Sequence, residues 1–160
     1  MKVNWLGHAC FLITAGNGVK IITDPYEANY RGIINYGPVK ETADIVTISH
    51  QHGDHNYTGD IPGKPEVIQG PGQRKAKGIE FTGIPCYHDR VSGRERGENT
   101  LFCFPIDGIH VCHAGDLGHP LDENARSLAR HNRHSFLPHR RAGSHAGTDR
   151  GDRPVGATQA

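Results

Sequence analysis

The chain has 160 residues, 35% of them hydrophobic, and a formal net charge of +1. This length suits one domain that buries a core, and the charge balance excludes the strongly basic surface of a dedicated nucleic-acid binder. No apolar run approaches the roughly 20 residues needed to cross a bilayer, and the first residues do not resemble a signal peptide. We therefore expect no membrane contact.

The charge is unevenly distributed along the chain. Residues 1–128 carry 12 basic and 15 acidic residues, whereas residues 129–160 carry six arginines, no lysine and two aspartates. The second segment has three large apolar residues, too few to offset the entropy of ordering it. We predict a domain over 1–128 and a non-native or disordered tail over 129–160.

Residues 1–128 are rich in short apolar runs separated by turns. Asn17-Gly18 and Asp107-Gly108 are hairpin signals, because both positions tolerate positive φ. Residues 26–38 form a polar loop, residues 70–72 a turn, and residues 122–129 a helix with an acidic first turn. The predicted strands are 3–6, 10–13, 19–22, 44–49, 66–69, 78–81, 101–104 and 109–112. Many strands and few helices indicate a β-sandwich with helices outside.

The four cysteines lie far apart, inside apolar stretches. This spacing predicts buried thiols in a reducing, cytoplasmic compartment rather than a disulfide framework. The cysteines concerned are Cys10, Cys86, Cys103 and Cys112.

Three histidines and one aspartate fall within the six residues His50-Gln51-His52-Gly53-Asp54-His55. In an extended segment His50 and His52 point to the same side and can bind one ion, and Gly53 allows a turn that brings Asp54 and His55 to a second. Nitrogen and oxygen ligands favour Zn²⁺, with Mn²⁺ or Fe²⁺ also possible. The alternative is a polar loop whose histidines are solvated.

The H-x-H-x-D-H pattern after a buried strand resembles the signature of the metallo-β-lactamase-fold hydrolases. Further segments resemble a small subgroup that includes uncharacterised metal-dependent hydrolases and L-ascorbate-6-phosphate lactonase-like proteins. These segments are Trp5-Leu6-Gly7-His8-Ala9, Thr23-Asp24-Pro25, Ile84-Pro85-Cys86-Tyr87-His88 and His113-Ala114-Gly115-Asp116-Leu117-Gly118. The resemblance implies an α/β (α+β) fold, an αββα sandwich that is incomplete at the C-terminus.

The resemblance also implies roles for individual residues around two divalent metal ions. It places His50, His52 and His88 on the first ion, Asp54 and His55 on the second, and Asp116 between the two. A metal-bridged hydroxide would attack a small ester, lactone or phosphoester, with Asp54 orienting the hydroxide and moving its proton. Asp24 would accept the free N–H of a ligand histidine.

Two other functions stay open. One is a truncated, non-catalytic remnant that binds metal without turnover. The other is a nuclease of the same superfamily, ranked last because residues 1–128 are net acidic.

The remaining polar residues have plainer interpretations. His8 either borders the pocket or is structural, and the sequence favours neither. We expect His113 to be structural and His110 to face solvent, and no matched segment places His119 near the metals. The charged residues 89–90 and 94–96 are interpreted as a solvated loop outside the site.

The family fold continues after the bridging aspartate with a Pro-Ile/Val-Gly-Gly strand and a histidine for the second metal, and neither pattern follows Asp116. We therefore expect poor stability and weakened occupancy of the second metal site. A frame-shift after about residue 129 is our preferred hypothesis, because Arg140-Arg141 encoded AGG-AGG reads as Gly-Gly from the second nucleotide. The rival is a disordered basic tail, and the coding DNA decides between them.

Overall fold

The computed structural model describes residues 1–131, and the hypotheses about the tail lie outside that range. Within it the chain forms two β-sheets. The first has the order β1 (Lys2–Gly7), β2 (Cys10–Thr14), β3 (Lys20–Thr23), β4 (Ile45–Ile48) and β5 (Glu66–Gln69). The second has the order β6 (Gly72–Ala76), β7 (Ile79–Tyr87), β8 (Glu98–Ile106) and β9 (Ile109–His113). A 3₁₀ turn spans Tyr30–Gly32, and helix α1 spans Glu123–His131.

Strand direction follows from the connections. The β1–β2 and β2–β3 pairs are antiparallel, while β3–β4 and β4–β5 are parallel. The second sheet is antiparallel throughout. As a result β1, β3 and β4 end at the same edge of the first sheet.

The main core lies between the two sheets. Ile21 and Ile45 of the first sheet and Phe102 and Phe104 of the second belong to one buried cluster. On β4 all four residues are buried, because a loop containing Tyr26 and Ile34 covers its outer face. A strand covered on both faces has a nearly continuous apolar sequence, and residues 45–48 are apolar except for the buried Thr47.

The sandwich and most predicted elements are confirmed. In the β8–β9 turn both Asp107 and Gly108 have positive φ, as the hairpin signal requires. Strand β6 is not predicted, because it is an exposed edge strand with polar residues at Gln73, Arg74 and Lys75 and so lacks an apolar period.

The interpretation of the cysteines is correct for Cys10 and Cys86, which are free and buried, and wrong for the other two. Cys103 and Cys112 form a disulfide, and Cys112 is exposed. The two residues face each other across β8 and β9. A two-residue turn pairs the residues that lie at equal distances on either side of it. The predicted Asp107-Gly108 turn therefore already implies that Cys103 faces Cys112. The cytoplasmic location stays a prediction.

The expectation for His110 is also wrong. The residue is partly buried, and its Nε2 atom is inaccessible. In the part of the chain that the structure covers, no helix is both long and apolar enough to span a membrane.

Asp107 joins the two sheets at the end of the sandwich opposite to the histidine-rich residues 50–55. Its carboxylate accepts a hydrogen bond from Gly16 N–H (2.8 Å) in the β2–β3 turn and lies 2.7 Å from the Met1 amino group. These two donors hold the pKa of Asp107 below its ordinary value of 3.8.

We expect Asp107→Asn to unfold at lower urea concentration than wild type at neutral pH, since asparagine keeps the positive φ but loses the charge. The folded pKa is the lower one, so the stabilisation is present above pH 3.8 and is lost as the pH falls through the lowered value. The difference between the urea midpoints of wild type and Asp107→Asn should therefore disappear at acidic pH. A gap independent of pH would contradict this account.

Candidate metal centre

The candidate residues lie at one edge of the sandwich, each just after a strand. Asp24 follows β3, His50 begins the loop after β4, His88 follows β7, and Asp116 lies three residues beyond β9. A hydrogen bond from Thr100 N–H to the Ser49 carbonyl (2.8 Å) ties β8 to this edge. Chain segments distant in sequence therefore converge on one place.

His50, His52 and His88 form the first group. His50 Nε2 lies 3.1 Å from His52 Nδ1, and each residue offers a ligand atom within 4.8 Å of the others. The His50 and His88 rings are 5.0 Å apart, centroid to centroid. Three imidazoles converging in this way can bind one tetrahedral cation and leave a position open.

His8, Asp54 and His55 form the second group. His8 Nε2 lies 3.0 Å from His55 Nε2 and 3.4 Å from Asp54 Oδ2, and His55 Nε2 lies 3.8 Å from the same oxygen. His8 reaches this place from the β1–β2 turn, where it has a φ of 49°. A positive φ in a histidine costs backbone energy and is typical of functional sites.

Asp116 lies between the two groups. Its Oδ2 is 2.9 Å from His88 Nε2 and its Oδ1 is 3.4 Å from His55 Nε2. Each carboxylate oxygen thus faces one group. Asn99 holds the loop in place, since its Oδ1 accepts a hydrogen bond from Asp116 N–H (3.2 Å).

Asp24 lies beneath these groups and is fully buried. Its Oδ1 accepts a hydrogen bond from Ser49 N–H (2.7 Å), and its Oδ2 accepts from Ser49 Oγ (2.6 Å), His55 Nδ1 (3.1 Å) and His113 Nε2 (2.8 Å). Ser49 Oγ then accepts from His50 Nδ1 (2.9 Å). The hydrogen bonds fix the Nδ1 atoms of His50 and His55 and turn both Nε2 atoms toward the site.

The histidine rings differ in charge. Burial and the neighbouring His55 and His52 lower the pKa of His50 to about 4, so its ring is neutral, as a metal ligand must be. Burial disfavours a charge on His55, yet hydrogen bonds to Asp116 and Asp24 raise its pKa to about 9. As a metal ligand His55 would release this proton when a cation binds. The hydrogen bond from His55 lowers the pKa of Asp116 to about 2, against the effect of burial.

The same environment governs the buried carboxylate. Burial alone would raise the pKa of Asp24, but hydrogen bonds from His113, His55 and Ser49 hold it well below its usual range. The carboxylates of Asp24, Asp54 and Asp116 thus make the site favourable for a positively charged group or ion. Together with converging imidazole nitrogens, these carboxylates form a donor set that fits divalent cations.

A cleft of about 350 Å³ opens beside His50 and His52. Arg96, Gly97 and Glu98 form part of its wall. Asp89, itself buried, organises their loop by accepting backbone N–H groups of Val91, Gly93, Glu95 and Arg96 at 2.8–3.0 Å. The prediction that residues 94–96 lie outside the site is therefore wrong for Arg96, because no local sequence signal places it at the cleft.

Two glycines allow the loop after β9 to approach the histidines. A Cβ at Gly118 would overlap the backbone of His88 and Asp89, and one at Gly115 would overlap Ser49 and Asn99. Any larger residue at these positions would displace His88 or Ser49.

The structure brings together all six residues that the sequence singled out, His50, His52, Asp54, His55, His88 and Asp116. Asp24 contacts His55 Nδ1 as expected, and His113 contacts Asp24 rather than the other histidines. His119 accepts a hydrogen bond from Tyr87 N–H (3.0 Å).

His8, left open by the sequence, lies at the second group. The order of the predicted strands along the chain was a signal for this position. Two hairpins followed by a parallel crossover bring the ends of β1, β3 and β4 to one edge, which places His8 beside residues 50–55.

Residues 2–132 match the profile of the β-lactamase superfamily domain. The chain therefore belongs to the β-lactamase superfamily. It is 29% identical over 141 residues to a UPF0173 metal-dependent hydrolase of Methanoculleus marisnigri, covering 72% of this chain and 58% of that protein. A UPF0173 metal-dependent hydrolase of Methanospirillum hungatei is 30% identical over 141 residues, covering 74% and 60%.

A solved structure from Thermotoga maritima is similar as well. That protein is provisionally described as a Zn-dependent hydrolase of the metallo-β-lactamase superfamily. It superposes with a TM-score of 0.62 at 34% identity, over 79% of this chain and 55% of that chain. This chain thus spans less than two thirds of the length of each of these relatives.

We expect Asp24→Asn to weaken zinc binding by about 10–100-fold, because the amide cannot accept all the hydrogen bonds that orient His55 and Ser49. Loss of this buried charge should also cost about 3–5 kcal/mol of stability. Competition with a chromophoric chelator measures the affinity. Asp44→Asn is the matched control, since Asp44 accepts a backbone N–H from Lys20 far from the histidines. Equal affinities in the two variants would contradict the role of Asp24.

Proposed function

We propose that this chain carries the two-metal centre of a hydrolase that acts on a small ester, lactone or phosphoester. The observation that carries the proposal is the position of Asp116, with one oxygen 2.9 Å from His88 and the other 3.4 Å from His55. A carboxylate between two clusters of nitrogen donors is suited to two cations that share a ligand. The UPF0173 relatives named as metal-dependent hydrolases support the same activity.

In this proposal His50, His52 and His88 hold the first ion, and Asp54 and His55 hold the second with Asp116 shared. Zn²⁺ suits these nitrogen and oxygen donors, and Mn²⁺ or Fe²⁺ are the alternatives. When bound, such ions supply an activated water and polarise the bond to be cleaved.

His8 completes the second group. Its Nε2 lies within 3.4 Å of both Asp54 Oδ2 and His55 Nε2, so it can serve as a further nitrogen donor to the second ion. We include His8 among the ligands for this reason.

Side chains of this protein orient both the attacking water and the histidine rings. Asp54 is partly exposed at the site, where it can orient the attacking water and accept its proton. Ser49 and Asp24 keep the rings of His50 and His55 from rotating, so their nitrogens are directed before the substrate arrives. The cleft beside His50 has the volume of a small-molecule site.

The activity test uses the full chain loaded with zinc and three chromogenic substrates: an aryl phosphodiester, an aryl ester and a lactone. We expect turnover of at least one, lost on chelation and restored by metal. Asp116→Asn should lower activity about a hundredfold or more and reduce bound metal, because both ions lose a shared ligand. Asp44→Asn, whose carboxylate accepts from Lys20 N–H at the opposite end of β3 and β4, should leave both readouts unchanged.

Two outcomes would overturn the proposal. One is undiminished activity of Asp116→Asn or of the chelated chain. The other is stoichiometric metal binding without turnover of any substrate, which would identify the non-catalytic remnant that the sequence left open.

We infer an anionic substrate from Arg96, which within the described residues is the cationic side chain in the wall of the cleft and lies there beside the carboxylate of Glu98. We expect Arg96→Gln to raise KM for the phosphodiester about tenfold and to change kcat little, as the loss of a charged contact outside the reacting atoms would. The neutral ester should be unaffected. Arg94→Gln is the matched control, because Arg94 instead donates to the Val91 carbonyl. A uniform loss of kcat on all substrates would contradict a role in substrate binding.

A further inference from the structure

A second set of metal-ligating side chains lies on the outer face of the second sheet. Cys103, His110 and Cys112 each offer a ligand atom within 4.8 Å of the others. Cys103 belongs to the cluster that packs beneath α1, and Cys112 Sγ lies 3.7 Å from the Ala129 carbonyl. The set is separate from the histidine–aspartate centre, which lies beyond the end of the strands.

The hairpin register produces this set. Cys103 pairs directly with Cys112, with 4.2 Å between their Cα atoms, and Pro105 pairs with His110. Because side chains alternate along a strand, His110 and Cys112 point to the same face. Val111, between them, instead packs on the core between the sheets.

His110 supplies an independent observation. Its Nε2 atom is inaccessible and has no hydrogen-bond partner among the described residues. A buried polar atom left without a partner destabilises the fold, because it loses the hydrogen bond that water would give it. A cation bound at this nitrogen would give it a partner, which no side chain within residues 1–131 supplies.

We propose that, when the Cys103–Cys112 disulfide is reduced, the chain binds a soft divalent cation such as Zn²⁺ through Cys103, Cys112 and His110. Two thiolates and one imidazole are a ligand set that selects Zn²⁺ over harder cations. Tetrahedral zinc separates two thiolate sulfurs by about 3.8 Å, which opposed cysteines reach by side-chain rotation. This proposal is independent of the proposed hydrolase activity.

The disulfide and the metal site exclude each other, because both use the same sulfurs. A phosphine reductant and one water convert the disulfide to two thiols and a phosphine oxide. Zn²⁺ then binds the two sulfurs as two protons leave to water. In reverse, hydrogen peroxide takes two electrons from the two thiolates, forming the S–S bond and two hydroxide ions and releasing the metal. Oxidation therefore empties this site.

The test uses Co²⁺ as the probe, because thiolate coordination gives a near-ultraviolet charge-transfer band that histidine and aspartate ligands do not. We expect the full chain reduced with a phosphine to bind one Co²⁺ more than the oxidised chain and to develop this band, and Zn²⁺ to abolish it. The oxidised chain should show no band. Turnover is not measured, so the result does not depend on the hydrolase proposal.

Variants assign the ligands. Cys112→Ser, at an exposed position, should abolish the band, and His110→Gln should weaken Co²⁺ binding about tenfold or more. Cys86→Ala is the matched control, since Cys86 is a buried free thiol in the cluster that contains Cys103, and it should keep the band.

Each contrary result overturns part or all of the proposal. Absence of the band in the reduced wild-type chain, whatever the variants do, refutes the site. A band that survives Cys112→Ser refutes this ligand set, and unchanged affinity in His110→Gln removes the histidine from it.

Discussion

The buried carboxylate of Asp24 holds together the edge of the sandwich at which the candidate centre lies. It accepts hydrogen bonds from Ser49 and His55 in the loop after β4, and from His113 at the end of β9 in the other sheet. A fully buried charge is stable only with such partners. The same contacts that compensate the charge therefore fix the orientation of His55 and, through Ser49, of His50.

The two groups of donors differ in how they are built. Two of the three residues in the first group come from one loop, and His88 is brought to them by the close approach that Gly118 permits. The second group combines the same loop with His8, whose turn is held in an unfavourable backbone conformation. Asp116 then connects the groups from the loop after β9. A positive φ at His8 and close packing at Gly115 and Gly118 thus occur at the site, where pre-organised donors offset their cost.

The outer face of the second sheet shows how one hairpin can serve a separate chemistry. The alternation that buries Val111 in the core places His110 and Cys112 together on the other side, opposite Cys103. The redox state of that pair decides whether the sulfurs bind each other or are free for a cation. Such a site would respond to oxidants without any change in the histidine–aspartate centre.

The sequence by itself determined the strands with apolar periodicity, both hairpin turns and the four ligand candidates of residues 50–55, because these depend on local pattern and on one dense motif. His88 and Asp116 were implied by the resemblance to the metallo-β-lactamase-fold hydrolases. It could not determine strand β6, whose exposed polar edge lacks a period. The Cys103–Cys112 pair lies within one hairpin, and the register of its turn implies it. The place of His8 and the cleft position of Arg96 were decided by the tertiary structure. The physical reason is that these two positions depend on strand direction and on a loop held by Asp89, which bring together residues far apart in the chain.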